Sequence, residues 1–192
     1  GYGFEYFYGF LAGEASQYEP TLTRNTTAVI QHPKKGYHLS EDIAEDAIAW
    51  LREQKAYAPD KPFFMYWAPG ASHGPHHVMK EWADKYKGKF DDGWDKYREH
   101  AFANAKAKGW IPQNTQLTPR PASMASWDSI PEAEKPFQRR LMEVFAGFTE
   151  HAQHLAGRDI EGHVVQRDQR AVPRGEFDAQ VAHLQQGGGI GH

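Results

Sequence analysis

Lys61-Pro62-Phe63-Phe64-Met65-Tyr66-Trp67-Ala68-Pro69-Gly70-Ala71-Ser72-His73-Gly74-Pro75-His76-His77 breaks from an apolar run into small residues and histidines. Residues 63 to 68 are almost wholly apolar and bounded by prolines, which predicts a strand buried on both faces with a loop after it. In open α/β sheets the groups that touch ligands lie in loops at the carboxyl ends of strands, so a histidine just past such a strand marks a candidate site.

Upstream of this run, Ser40 is an expected N-cap, and Glu41, Asp42 and Glu45 put negative charge near a helix amino end, where the dipole favours it. Ile43, Ala47, Ile48 and Leu51 supply the apolar face, and Lys55 with Pro59-Asp60-Lys61-Pro62 closes the helix. Helix, short loop and buried strand make half of a βαβ unit, which predicts the α/β class with a parallel or mixed sheet. Thr21 to Ile30 reads as a strand or hairpin arm. Its Asn25-Thr26-Thr27 triplet fits a glycosylation acceptor but arises readily by chance.

The first 18 residues interleave aromatics with glycines. Two readings stand: aromatics that pack a loop onto a neighbouring element, or a stacking surface for sugar or aryl groups. Downstream, Glu81 to Lys89 is short and amphipathic, with Trp82 and Tyr86 one turn apart. Asp91, Asp92 and Asp95 invite a metal reading, but their spacing around Gly93 does not match a calcium loop, so turn and helix-capping roles are expected. Trp94 to Lys108 should be helical with Gly109 as its stop. Residues 110 to 131, with Pro112, Pro119, Pro121 and Pro131, should be an irregular connection.

Pro131 then opens a long helix in which Phe137, Leu141, Val144, Phe145, Phe148, Ala152 and Leu155 recur at steps of three and four. Residues 159–192 lose this periodicity and end in Gln-Gln-Gly-Gly-Gly-Ile-Gly-His, the pattern of a weakly ordered tail.

The 192 residues suffice for one domain with a core, and 40% hydrophobic with 24% charged residues is ordinary globular composition. A mean hydropathy of −0.77 implies polar loops in addition. With 22 basic and 25 acidic residues, the net charge of −3 gives no field that would attract nucleic acid or an anionic membrane. No apolar stretch approaches the ~20 residues that span a bilayer. Zero cysteines exclude disulfides, thiolate metal sites and a cysteine nucleophile. The chain begins in mid-motif without methionine and reads as a piece of something longer.

Gly3-Phe4-Glu5-Tyr6-Phe7-Tyr8-Gly9-Phe10-Leu11-Ala12-Gly13-Glu14, then Gly36 to Asp42, then Lys61 to His77, resembles the bacterial arylsulfatases of the type I sulfatase family, within the alkaline phosphatase superfamily. Tyr86 to Asp95 and Met142 to Phe148 continue the likeness, which covers residues 1–158 with several long motifs in order. It implies an interior portion of an alkaline-phosphatase-like domain: part of a mixed sheet flanked by helices, with long irregular loops. It also implies hydrolysis of a small-molecule sulfate ester by a formylglycine hydrate beside a divalent cation, Ca2+ first among candidates. In that family a histidine in an Ala-x-x-His-x-Pro context follows this strand and contacts the leaving oxygen. The matching position here is His73, followed by Gly74 and Pro75. Imidazole suits the task because its unperturbed pKa of about 6.5 lets it donate a proton near neutral pH.

His76 and His77 match no catalytic position, and loop contacts are expected of them, although the three histidines together could hold an adventitious ion. The family's Cys-x-Pro/Ala-x-Arg nucleophile motif and its metal-binding aspartates have no counterpart here, and Gln153 stands where the family has an aspartate. The resemblance therefore implies a chain inactive by itself, with its metal ligands elsewhere. The alternative is a non-catalytic carbohydrate- or protein-binding remnant that keeps the aromatic face of residues 2 to 18, Tyr6 and Tyr8 among them.

Overall fold

A computed structural model describes residues 3–30 and 35–160, the side chains of 158–160 excepted. Tyr2 and the sequence from residue 161 on, with it most of the expected tail, lie outside the described residues. The described residues divide into two compact units: residues 3–11, 19–30, 35–69 and 153–160 belong to one, and residues 12–18 and 70–152 to the other.

The first unit holds the only sheet among the described residues. Strands β1 (Tyr8–Gly9), β2 (Leu22–Arg24) and β3 (Thr27–Val29) pair antiparallel in that order, with Tyr8 opposite Arg24 and Thr23 opposite Ala28. The β2–β3 hairpin turns at Asn25, which takes a φ of 54°, a left-handed conformation that asparagine tolerates better than most residues. Its amide nitrogen donates to the Phe7 carbonyl and its side-chain oxygen accepts from the Phe7 N–H, both at 2.9 Å. The triplet at Asn25 is thus explained by the turn itself.

Helix α1 (Leu39–Tyr57) buries Leu39, Ser40, Ile43, Ala44, Ile48 and Leu51, so three of the four residues read as its apolar face are buried and Ala47 is only partly covered. Its N-cap is His38 and not Ser40: the extended His38 places its Nδ1 3.2 Å from the Ser40 N–H, so an imidazole nitrogen takes the role expected of a hydroxyl. The aromatic amino-terminal segment packs on this helix. Tyr6 Oη donates to Asp46 at 2.7 Å, while Tyr8 and Tyr37 donate to the same Asp42 oxygen at 2.6 and 2.9 Å. Arg24 reaches Asp46 at 2.5 Å and lies over the Tyr8 ring, and Tyr6 stacks on Trp50. These contacts favour the packing reading of the first aromatics, because both phenols are spent on the helix.

Burial and the bond to Asp46 push the Tyr6 phenol from 10.0 up to about 12, and burial with the bond to Asp42 raises Tyr8 as well. A phenol whose folded pKa lies above its unfolded value gives stability that is complete below pH 10 and lost as pH rises through the folded value. The first unit should therefore lose stability between about pH 10 and pH 12. Chemical denaturation across that range checks this, and Tyr8→Phe should flatten the decline.

The run 63–69 corrects the strongest strand expectation. It is extended but pairs with no strand among the described residues, and its side chains alternate, with Phe64 and Tyr66 each 75% exposed while Phe63, Met65 and Trp67 are half-buried. An apolar run becomes a strand only if a neighbour meets its backbone groups, and no described segment does. The sheet is antiparallel rather than parallel or mixed, within an α/β chain consistent with part of a sulfatase domain.

The second unit is helical: α2 (Lys80–Asp84), α3 (Gly93–Ala107) and α4 (Lys135–His154, whose last two residues belong to the first unit), with a 3-10 turn at Trp127–Ser129. The α2 backbone crosses α4 at Gly147, where a Cβ would stand 2.7 Å from the Trp82 carbonyl. That close approach selects the buried face of α4: Glu143, Gly147, Phe148, His151 and Ala152. Phe137, Leu141 and Phe145, expected in the core, are exposed, since the row that carries them is turned away from the crossing. The helix also begins later than Pro131, because Pro131 to Glu134 form a turn closed by the Glu134 and Lys135 amides on the Pro131 carbonyl.

At the other end Trp127 lies against Gly93, and Asp95 accepts from the Trp127 N–H at 2.8 Å. That backbone donor, with Arg120 at 3.1 Å, holds the Asp95 carboxyl below the usual range. Asp95 thus fastens the 110–131 connection. Asp92 occupies the N-cap position of α3 without a side-chain capping bond, and Asp91 pairs with Arg139 at 3.6 Å.

Candidate active-site loop

Residues 70–77 form a loop of the second unit in which each histidine has a different partner. The chain turns tightly at its start, with the His73 N–H on the Gly70 carbonyl at 2.8 Å. His76 Nε2 lies 3.1 Å from the Ser72 carbonyl, and its ring meets Phe145 edge-on at 5.2 Å. Ser72 Oγ bonds Thr149 Oγ1 at 2.8 Å, so this part of the loop is tied to α4. His77 stacks on Tyr18 with ring centroids 5.1 Å apart, and its Nδ1 accepts from the Gln17 N–H at 3.4 Å.

These partners decide the ring protons. A carbonyl only accepts, so His76 carries its hydrogen on Nε2; an N–H only donates, so His77 Nδ1 is bare. Both rings are fasteners, in keeping with the loop contacts expected of them. They do not converge with His73, and no group of three or more histidine, cysteine, aspartate or glutamate side chains suited to a metal ion occurs among the described residues.

His73 differs from both. Its side chain is 71% exposed, its Nδ1 lies 2.9 Å from the carbonyl of its own neighbour Gly74, and Glu14 Oε2 stands 3.7 Å from that same nitrogen. Since the Gly74 oxygen can only accept, Nδ1 bears the hydrogen and Nε2 is the nitrogen left for a ligand.

Sequence reasoning missed a segment that packs on the histidine loop. Residues 12–18 belong to the same compact unit as the histidine loop, although the chain on either side of them belongs to the first unit. Gln17, only 2% exposed, presses its amide where a Cβ on Gly70 would be, 2.6 Å away. Burial, then the nearby Glu81 carboxylate, raises the Tyr18 phenol. The only signal was the small residue at position 70, whose purpose shows once Gln17 fills the space.

The class of the protein comes from comparison with known proteins. The Sulfatase family model matches residues 1–161, and the chain belongs to the sulfatase family. It is 32% identical over 145 residues to an uncharacterized sulfatase of Schizosaccharomyces pombe, a match covering 74% of this chain and 25% of that protein. It is also 23% identical over 154 residues to an arylsulfatase of Klebsiella aerogenes, covering 75% of this chain and 32% of the relative. The chain thus spans between a quarter and a third of these relatives. Among the described residues no helix is long and apolar enough to cross a membrane.

Proposed function

We propose that residues 1–158 are an interior portion of an arylsulfatase catalytic domain and that His73 serves the leaving group when a sulfate ester is cleaved. The observation that supports this reading is the His73 ring: within a loop whose other two histidines are tied to groups elsewhere in the unit, it is exposed and bonds its own neighbour Gly74 through Nδ1, which leaves Nε2 for a ligand. His73 first takes up a proton at Nε2 and becomes an imidazolium; as the bond from sulfur to the ester oxygen breaks, it gives that proton to the oxygen, and the sulfuryl group passes to a formylglycine hydrate. This chain carries neither a cysteine nor a serine in the family's pattern to become that nucleophile.

The family relation implies a divalent cation, and the residues described here do not make a centre for one. Ca2+ is therefore expected to leave the melting temperature of this chain unchanged, since a ligand shifts stability only if the folded state binds it. A calcium-dependent rise in a thermal scan would reveal ligands in the chain after all.

The function itself is tested by aryl sulfate turnover. The 192-residue chain alone should release no sulfate. A sulfatase-length chain carrying residues 1–158 and a matured formylglycine should turn over. A correctly folded, formylglycine-bearing chain without turnover would sink the proposal.

A further inference from the structure

The geometry points to Glu14 as a positioning residue for His73, an inference that rests on the proposed role of that histidine. The segment bearing Glu14 is fastened by its last two residues to the two ends of the histidine loop: buried Gln17 fills the space beside Gly70, and Tyr18 stacks on His77 while the Gln17 N–H bonds its ring. His73 lies between those two anchors, and Glu14 is the carboxylate the clamp brings to it, at 3.7 Å from Nδ1. The grouping of residues 12–18 with 70–152, against their neighbours in sequence, is the independent sign that this segment belongs to the loop.

A carboxylate and a carbonyl on the same side of an imidazole both call for a hydrogen on the nitrogen that faces them. Glu14 and the Gly74 carbonyl therefore hold His73 with Nδ1–H inward and Nε2 outward, the orientation in which a carboxylate commonly fixes a working histidine. When Nε2 takes up the proton it will deliver, the ring is a cation, and Glu14 carries the balancing charge. Side chains 71% and 65% exposed make this pair a weak source of stability, so its value lies in orientation.

The test is the tautomer of His73 in the 192-residue chain, read from its ring nitrogen chemical shifts in the wild type, Glu14→Gln and Glu14→Asp. The Nδ1–H form should dominate in the wild type, give way to a mixture with Nε2–H in Glu14→Gln, and return in Glu14→Asp. Glu14 is exposed, so none of these variants should unfold. A tautomer population unmoved by Glu14→Gln overturns the assignment. In a sulfatase-length chain, Glu14→Gln should lower kcat about tenfold for poor leaving groups with little change in KM, and Glu14→Asp should restore part of it. An unchanged kcat there also overturns it. If the tautomer moves as expected while the wild-type long chain hydrolyses no aryl sulfate, the pairing stands and the hydrolase reading fails instead.

Discussion

Gly93→Ala is expected to destabilise the second unit by about 3–5 kcal/mol, combining the cost of a left-handed backbone with that of overpacking. Gly93 opens α3 at a φ of 75°, and a Cβ built on it falls 2.0 Å from Cδ2 of Trp127. The indole cannot step aside: Trp127 is buried, its backbone N–H donates to Asp95, and its ring meets Trp94 edge-on at 4.8 Å. Gly109→Ala separates the two costs, because Gly109 has a φ of 69° but no atom within 4 Å of a new Cβ. It should lose only ~1 kcal/mol, the backbone part. Equal denaturant midpoints for the two variants would mean that Trp127 does not pack where described.

His73→Ala in a sulfatase-length chain should lower kcat for an aryl sulfate by about 10²–10⁴, the usual contribution of a positioned general acid. Thermal stability should scarcely change, because the ring is largely exposed and its contacts among the described residues are the neighbouring Gly74 carbonyl and the exposed Glu14 carboxylate. His77→Ala should do the reverse: it removes the stack on Tyr18 and the acceptor for Gln17, so the melting temperature falls. Activity then falls only as far as the loop loosens. Steady-state kinetics and thermal unfolding on the same preparations distinguish a reacting group from a fastener. Equal kinetic losses without a change in stability would remove the special standing of His73.

The contrast between these histidines could not be read from spacing, since three imidazoles within five positions look alike until their partners are known. What was legible depended on local rules. The α1 face, the stop at Gly109, the hairpin around Asn25 and the irregular 110–131 segment follow from periodicity and turn chemistry, which act within a few residues. Features set by distant partners were not legible. Run 63–69 has the composition of a strand but no described neighbour to pair with, and Gly147 decides which side of α4 is buried despite the exposed Phe137, Leu141 and Phe145. The clamp of Gln17 and Tyr18 on the histidine loop joins positions some 60 residues apart, beyond the reach of any periodic pattern. The His73 assignment came from the likeness of long motifs, and the geometry adds an exposed ring with its Nδ1 already engaged.

The most direct measurement is the dependence of turnover on the leaving group, made with a graded series of aryl sulfates on a sulfatase-length chain carrying this segment, with and without His73→Ala. If His73 protonates the departing oxygen, the variant should lose little on the most acidic phenols and progressively more as the phenol becomes more basic, so that its dependence is the steeper. Parallel dependences in the two proteins would contradict the account.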